Sequence, residues 1–249
     1  MKTKFLILSL LTFFIFSCNS DDENAGPPPI PEDEKLIDNI VSSGDDGLNY
    51  QFEYNEDKTV RSMNISNFIL YNYTYENNRI SKISMIGNGQ VLDYHLEYDQ
   101  NGMISSFSLD DVVTPVTYNA AEKFYLYQKE NGDEFMLYLN ENDDIYRAIE
   151  YDAEYDETNS IVYIYENSGK GVLTNTNNIT IATVLVSGNF EIGIYFFPIS
   201  NNPIKTLSFV GGNIFFENEL DDQGFISEMA INTAGEGEPS VMTFNYTQL

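Results

Sequence analysis

The chain is poor in the residues that build the common reactive sites. Its 249 residues include one cysteine, one histidine and only 12 lysine and arginine residues. A structural zinc site needs a cluster of Cys and His ligands, and an internal disulfide needs two cysteines, so both are excluded. A serine triad would have to use His95, and the chain has no G-x-S-x-G nucleophile elbow. The sequence therefore predicts no catalytic residue and no zinc ligand.

Basic residues are greatly outnumbered by acidic ones. The 39 Asp and Glu residues give a formal net charge of −27. This charge argues against binding to nucleic acid and against adhesion to anionic lipid surfaces. The 17 Phe and 18 Tyr residues nevertheless supply enough apolar surface for a folded core. We expect a folded protein with an acidic, solvated exterior and no nucleic-acid partner.

The N-terminal segment has the pattern of an export signal. Two lysines within the first four residues precede an apolar run over residues 5–16, which is shorter than the roughly 20 residues of a membrane-spanning helix. We predict that residues 1–17 form a signal peptide that is removed. The stretch "IFSC", ending at Cys18, resembles the lipobox of bacterial lipoproteins, which implies acyl chains attached to Cys18. The alternative is a secreted protein with an unused thiol.

Residues 18–34 are predicted to hold the lipidated cysteine and a tether. "NSDDE", residues 19–23, resembles the acidic export signal of Bacteroidota lipoproteins, which implies a lipid-anchored place on the outer membrane, facing the cell exterior. A solvated acidic spacer is the alternative. "PPP", residues 27–29, favours an extended polyproline conformation. The membrane is thus an expected partner, through the acyl chains on Cys18.

Residues 35–249 are expected to form a single β-repeat domain. In "LDYHLEY", residues 92–98, apolar and polar side chains alternate, which is typical of a half-buried strand. "DQNG", residues 99–102, follows with residues that tolerate the positive φ of a tight hairpin turn. A second apolar pattern begins at Ile104. This stretch therefore predicts one β-hairpin.

The same layout recurs along the chain. Strand ends at residues 54, 75, 98, 118, 139 and 165 lie roughly 20 to 26 residues apart, the length of one hairpin. "DDQGF" near residue 221 and "SNNP" near residue 200 mark further copies, and "ENSGKG" would join Tyr165 to Val172. Helical spacing is missing apart from a short start over residues 35–41. The sequence predicts an all-β antiparallel meander of about eight hairpins.

Two copies of the unit, "LEYDQNGMISSF" and "YTYENNRISKI", resemble the YD repeat of Rhs-type bacterial surface proteins. The resemblance implies hairpin architecture and no particular activity. In large YD proteins the hairpins form a spiralling shell, whereas this chain is expected to be too short to enclose anything. We expect a curved or barrel-like sheet, with a β-sandwich or a small propeller as the alternative closures.

Candidate polar sites match ordinary strand and turn positions better than functional sites. His95 and Glu97 share the polar face of one strand, as polar residues do in the neighbouring unit, so we expect both to face solvent. "NENDDI", residues 140–145, alternates like a calcium-binding loop, but Ile145 and Tyr151 stand where an EF-hand needs glycine and glutamate. We predict no cofactor and no metal site, although the composition suits calcium.

One aromatic stripe carries a sharper hypothesis. Tyr71, Tyr73 and Tyr75 form the core face of the sheet or, if left uncovered, stack on sugars. We expect a non-catalytic binding or interaction module of the cell envelope, with a glycan or an envelope protein as partner. The alternatives are a glycan hydrolase with paired carboxylates, which the many acidic residues leave open, and a purely structural envelope component.

Overall fold

The computed structural model describes residues 35–43, 47–66, 68–188, 194–233 and 239–248. Asp33–Leu249 form one compact unit. The expected signal peptide, Cys18 and the tether lie outside the described residues. Among the described residues, no helix has the length and apolar character needed to cross a membrane.

The described chain contains seventeen β-strands and one α-helix of eight residues. In chain order the elements are β1 (Lys35–Ser42), β2 (Tyr50–Tyr54), β3 (Val60–Ile65), β4 (Ile69–Glu76), β5 (Arg79–Gly87), β6 (Gln90–Tyr98), β7 (Ile104–Leu109), β8 (Val112–Pro115), β9 (Thr117–Asn119), β10 (Phe124–Gln128), β11 (Glu134–Leu139), β12 (Ile145–Asp152), β13 (Glu157–Tyr165), α1 (Thr180–Ser187), β14 (Ile204–Phe209), β15 (Gly212–Leu220), β16 (Ile226–Thr233) and β17 (Ser240–Gln248).

All seventeen strands belong to one antiparallel sheet that nearly closes on itself. Strands that follow one another in sequence are neighbours in the sheet, and β1 pairs with both β17 and β2. Among the described strands, the pairing of successive strands is interrupted only at Val116, between β8 and β9. There β8 pairs with β7, and β9 pairs with β10. The predicted all-β meander with a barrel-like sheet is confirmed, rather than a sandwich or a propeller.

Six of the repeat units carry a β-bulge at the same place, whereas the β9–β10 pair has none. In the β2–β3 hairpin Glu53 faces Ser62 but Tyr54 faces Val60, so Arg61 is the extra residue. Corresponding shifts occur in the hairpins β4–β5, β6–β7, β11–β12 and β15–β16 and in the β13–β14 pair. Bulges strengthen the twist and bend the strand. Their regular repetition therefore accounts for the curvature that closes the sheet.

The tyrosine that ends a strand completes the bulge of the preceding unit. A bulge takes a backbone group out of its ladder, and a buried carbonyl without a partner is costly. Hydroxyls of four tyrosines donate to such carbonyls: Tyr54 to Ile37 at 2.7 Å, Tyr75 to Val60 at 2.8 Å, Tyr98 to Ile80 at 2.8 Å and Tyr165 to Ile145 at 2.6 Å. At the leucine-ended unit, Asn218 Nδ2 donates to the Ile204 carbonyl instead, at 2.6 Å.

The acidic or amide residue after the strand end closes the turn in the same way in three units. Asp99 Oδ1 accepts hydrogen bonds from the amides of Asn101 at 2.8 Å and Met103 at 2.9 Å. These bonds, that of Met103 first, lower the pKa of the Asp99 carboxyl. Asn140 and Asp221 make the same pair of contacts in their own turns. In these turns the side-chain oxygen stabilises the loop by accepting hydrogen bonds from its backbone amides.

The stretch between β13 and β14 leaves the sheet and lies inside the ring. The expected hairpin from Tyr165 to Val172 is wrong, because "ENSGKG" leads into this inner segment, described over residues 166–188 and 194–203. Three tyrosines from separate parts of the ring are hydrogen-bonded to it. Tyr73 Oη of β4 lies 3.1 Å from Thr183 Oγ1. The Tyr127 hydroxyl of β10 donates to the Leu185 carbonyl at 3.1 Å, and the Tyr50 hydroxyl of β2 donates to the Tyr195 carbonyl at 2.7 Å. The expectation that the chain is too short to enclose anything is therefore also wrong.

Helix α1 is the centre of the inner segment. Six of its eight residues are buried, and Gly188 ends it in the left-handed conformation at φ 62°. The residues "TIATVLVS" are mostly β-branched and apolar, and tyrosines of β4 and β10 are hydrogen-bonded to Thr183 and Leu185. The helical start expected over residues 35–41 is wrong, because β1 pairs there with β17.

Candidate functional site

The polar residues singled out in the sequence lie on the outer face of the sheet. His95 and Glu97 are exposed, as expected for the wet side of β6. Glu97 accepts a hydrogen bond from the Ser106 hydroxyl across the hairpin at 3.0 Å. Lys82 and Ser108 stand opposite His95 in the two neighbouring strands. These residues form part of a solvated surface, on which Glu97 borders a depression of ≈ 380 Å³ together with Glu76 and Arg79.

The tyrosine stripe of β4 faces the inner segment. Tyr71 and Tyr73 are buried, and burial raises the pKa of the Tyr71 hydroxyl to about 12. The ring of Phe196 packs edge-on against Tyr71, with centroids 5.7 Å apart. Tyr75 is half-buried, and its hydroxyl also accepts from Asn177 Nδ2 at 2.8 Å. The inner segment therefore occupies the space that a sugar would need on this stripe.

The calcium-like stretch is hydrogen-bonded to the inner segment. Asp144 is buried, and its carboxylate accepts from the backbone amides of Asn201 at 2.7 Å and Asn202 at 3.2 Å. Asn178 Nδ2 donates to the carbonyl of Asp143 at 2.8 Å. Within the described part of the chain, no group of three or more His, Cys, Asp or Glu side chains is arranged to hold a metal ion.

A cleft opens in the wall of the ring where β8 parts from β10. It has a volume of ≈ 420 Å³. Its polar lining consists of Asp110, Thr114, Lys129, Glu130, Ser187 and Gly188. Its apolar lining consists of Tyr94, Phe107, Leu109, Val112, Tyr127 and Val186. We call this space the wall cleft.

The sheet register determines which residues enter the wall cleft. Tyr94, Leu109 and Val112 stand opposite one another on three adjacent strands and face inward, while the next row, with Val113, faces outward. Among the described strands, β8 pairs only with β7, and β10 pairs with β9 only over residues 124–126, so no strand pairs with β8 beside Val112. Val112 is therefore 51% exposed although it belongs to the inward row.

Aromatic packing makes the deep end of the wall cleft rigid. Phe107 lies between Tyr94 and Tyr127, with ring centroids 6.3 Å and 5.2 Å away and edge-to-face geometry. The Tyr127 hydroxyl is held by the Leu185 carbonyl of α1 at 3.1 Å. Strand, aromatic row and helix are thus fixed to one another, and the cleft has preformed walls.

The charges of the wall cleft are mainly negative. Asp110 in the β7–β8 turn and Glu130 after β10 are both exposed at its rim. Lys129 forms a partly buried salt bridge with Glu150, which neutralises its charge. The C-terminal end of α1 also lines the cleft and carries the partial negative charge of the helix dipole.

A second depression lies outside β1, β2 and β3. It has a volume of ≈ 610 Å³ and a polar lining that includes Asn39, Asn49 and Gln51. Asn39 Oδ1 accepts from Asn245 Nδ2 at 2.8 Å, and Asn49 Oδ1 accepts from the Ser42 amide at 2.9 Å. Its amide groups are largely used in holding the strand ends together, so the wall cleft is the better candidate site.

No sequence pattern predicted the wall cleft. Its lining comes from β6, β7, β8, the region 127–130 and the end of α1, which are distant in sequence. The nearest signal in the sequence is the pair Val112 and Val113 before Pro115, in a strand that, among the described strands, pairs only with β7. Only the three-dimensional closure of the sheet brings these parts together.

Comparison with known proteins gives structural likeness at low identity. No protein-family model matches the chain, and no curated protein matches it. A porin-like protein from Bacteroides vulgatus ATCC 8482 has a TM-score of 0.47 and 12% identity, over 87% of this chain and 100% of that chain. A porin-like protein from Bacteroides uniformis ATCC 8492 has a TM-score of 0.43 and 10% identity, over 85% of this chain and 98% of that chain.

A third likeness is to a chain of the TcdB2-TccC3-Cdc42 structure. It has a TM-score of 0.30 and 10% identity, over 80% of this chain and 10% of that chain. Because all three TM-scores are below 0.5, no function follows from these likenesses.

Proposed function

We propose that the chain is a non-catalytic binding module of the cell envelope, lipid-anchored through Cys18 at the outer membrane and facing the exterior. The observation that carries the binding role is the wall cleft, a preformed space of ≈ 420 Å³ beside the ordered end of α1. Small-molecule sites are concave, mostly apolar and furnished with a few polar groups, and they occupy about 300 to 1,000 Å³. The wall cleft has each of these properties.

Binding is favoured over catalysis by the setting of the two rim acids. A glycan hydrolase would use a pair of carboxyl groups, one of them kept protonated by an apolar environment. Asp110 and Glu130 do line the same cleft, which is the specific observation in favour of this second candidate. Both are exposed, however, so neither lies in an apolar environment of that kind.

Two neighbouring valines allow a direct test of the site. Val112 lines the wall cleft, whereas Val113 is 62% exposed on the outward row. Val112→Arg should fill the cleft with little effect on folding because the side chain is already exposed. Val113→Arg adds the same charge and volume outside the cleft and serves as the matched control.

The measurement is a ligand-observed NMR screen of a small-compound library against the full chain in lipid nanodiscs, with empty nanodiscs as the blank. We expect compounds whose affinity falls at least about tenfold, or about 1.4 kcal/mol, in Val112→Arg and is unchanged in Val113→Arg. Binding that Val112→Arg does not affect, or the absence of any binder, would contradict the proposed site. Glycan cleavage that is lost in Asp110→Asn or Glu130→Gln would establish the hydrolase instead.

A further inference from the structure

We propose that the wall cleft selects small organic cations, namely protonated amines with an apolar body. This inference rests on the proposed function and specifies the ligand class of the same site. Three features of the cleft support it: its apolar depth, the sign of the charge at its rim, and the orientation of α1.

The depth of the cleft suits an apolar group. Leu109, Val112 and Val186 contribute aliphatic surface, and Phe107 and Tyr127 add aromatic surface. Both rings are at least nine-tenths buried by their neighbours, so they do not present open faces for stacking on a sugar. An alkyl or aryl group that fills this space gains by removal of apolar surface from water.

The rim of the cleft suits a positive charge. Asp110 and Glu130 are the acidic residues that line it, and Lys129 is its only cationic lining residue among the described residues. The Lys129 ammonium group is already paired with the Glu150 carboxylate. An incoming ammonium group therefore meets two carboxylates without a competing free lysine.

The helix adds to this preference. The dipole of α1 places partial negative charge at Val186, Ser187 and Gly188, and its last turn contains no basic residue. The chain as a whole carries a formal charge of −27, which raises the local concentration of cations and repels anions. Charge selection thus acts both at the cleft and over a longer range.

A matched series of three probes tests the ligand class. Phenethylamine, 2-phenylethanol and phenylacetate have the same apolar body with a positive, neutral or negative head. Binding to the full chain in nanodiscs, measured by calorimetry and NMR, should be at least about tenfold tighter for the amine than for the alcohol. Phenylacetate should bind most weakly. The advantage of the amine should decrease between low and high salt, because salt screens exposed charges.

The β7–β8 turn supplies a charge-matched control. Asp110 and Asp111 are adjacent and exposed, but only Asp110 lines the cleft. Both have positive φ, at 48° and 67°, a conformation that asparagine accepts readily. Asp110→Asn combined with Glu130→Gln should bring amine binding close to that of the alcohol. Asp111→Asn should leave the preference for the amine in place.

The outcomes separate this inference from the proposed function. If the alcohol or phenylacetate binds as tightly as the amine, and Val112→Arg abolishes that binding, the cleft is a binding site but the cation preference is overturned. If the amine preference survives removal of both carboxylates, the assigned charge contacts are overturned. If no probe shows binding that depends on Val112, the ligand class and the site both fail.

Discussion

At the scale of single residues, Asp144 shows how a turn of the outer sheet holds the inner segment. Its carboxylate receives two backbone amides, from Asn201 and Asn202, at the point where the chain returns to β14. Burial nevertheless raises the pKa of Asp144 to about 6, with nearby Asp143 contributing in the same direction. The desolvation of the carboxylate therefore outweighs its hydrogen bonds.

This residue should make stability depend on pH in an unusual direction. The folded-state pKa is about 6 against an ordinary value of 3.8, so the folded state binds the proton more tightly. The associated stability is fully present below about pH 4 and is lost as the pH rises through about 6. The change amounts to at most about 3 kcal/mol. Urea unfolding between pH 4 and 7 should show the wild type gaining stability relative to Asp144→Asn as the pH falls.

The comparison with Asp144→Asn is needed because other carboxylates act in the opposite direction. Hydrogen bonds lower the pKa of Glu53 and Asp99, so protonation of these groups destabilises the fold at low pH. Their effect is shared by both proteins and cancels in the difference. A difference in unfolding free energy that stays constant from pH 4 to 7 would show that Asp144 is not the group responsible.

At the scale of elements, the hairpin and the bulge together explain the tyrosine of the repeat. The bulge frees a carbonyl in one unit, and the tyrosine of the next unit donates to it, so adjacent units are joined by a partly buried hydrogen bond. Tyr98 and the Ile80 carbonyl, 2.8 Å from its hydroxyl, are a clear example. The tyrosine ring contributes to the core, while its hydroxyl satisfies the backbone.

Removing one such hydroxyl should have a measurable cost. Tyr98→Phe keeps the ring but leaves the Ile80 carbonyl without its donor, so we expect a loss of about 1 kcal/mol in unfolding free energy. Tyr155→Phe is the control, because Tyr155 is 67% exposed. Equal unfolding midpoints in denaturant for Tyr98→Phe and the wild type would show that the tyrosine acts only through its ring.

The same elements show which parts of the fold can be predicted from the sequence. Hairpins are predicted well because their strands are neighbours in the chain, and alternation and turn residues report on local structure. The exceptions are β1 and α1. β1 is a strand because it meets β17 from the other end of the chain. α1 has six buried residues of eight and no charged residue, so it lacks the solvated charged face by which a surface helix is recognised.

At the scale of the whole molecule, closure of the sheet creates both the core and the candidate site. The inner segment fills the space that the tyrosine faces enclose. The wall cleft lies where the pairing passes from β8, which is bonded to β7, to β9, which is bonded to β10. Neither follows from any local pattern, because both depend on contacts between residues far apart in sequence. The acidic exterior, in contrast, follows directly from composition and is expected to repel anionic partners.

The proposed anchor is tested on the whole chain. Several acyl chains hold a protein stably on a membrane, since each buried methylene contributes about 0.8 kcal/mol, whereas one chain binds only marginally. Cys18→Ala should therefore move the protein from the membrane fraction to the soluble fraction and abolish incorporation of labelled palmitate. Ser20→Ala, two residues further along the proposed tether, should remain in the membrane fraction. A Cys18→Ala protein that still sediments with membranes would contradict lipid anchoring, because the chain has no other cysteine to carry the acyl group.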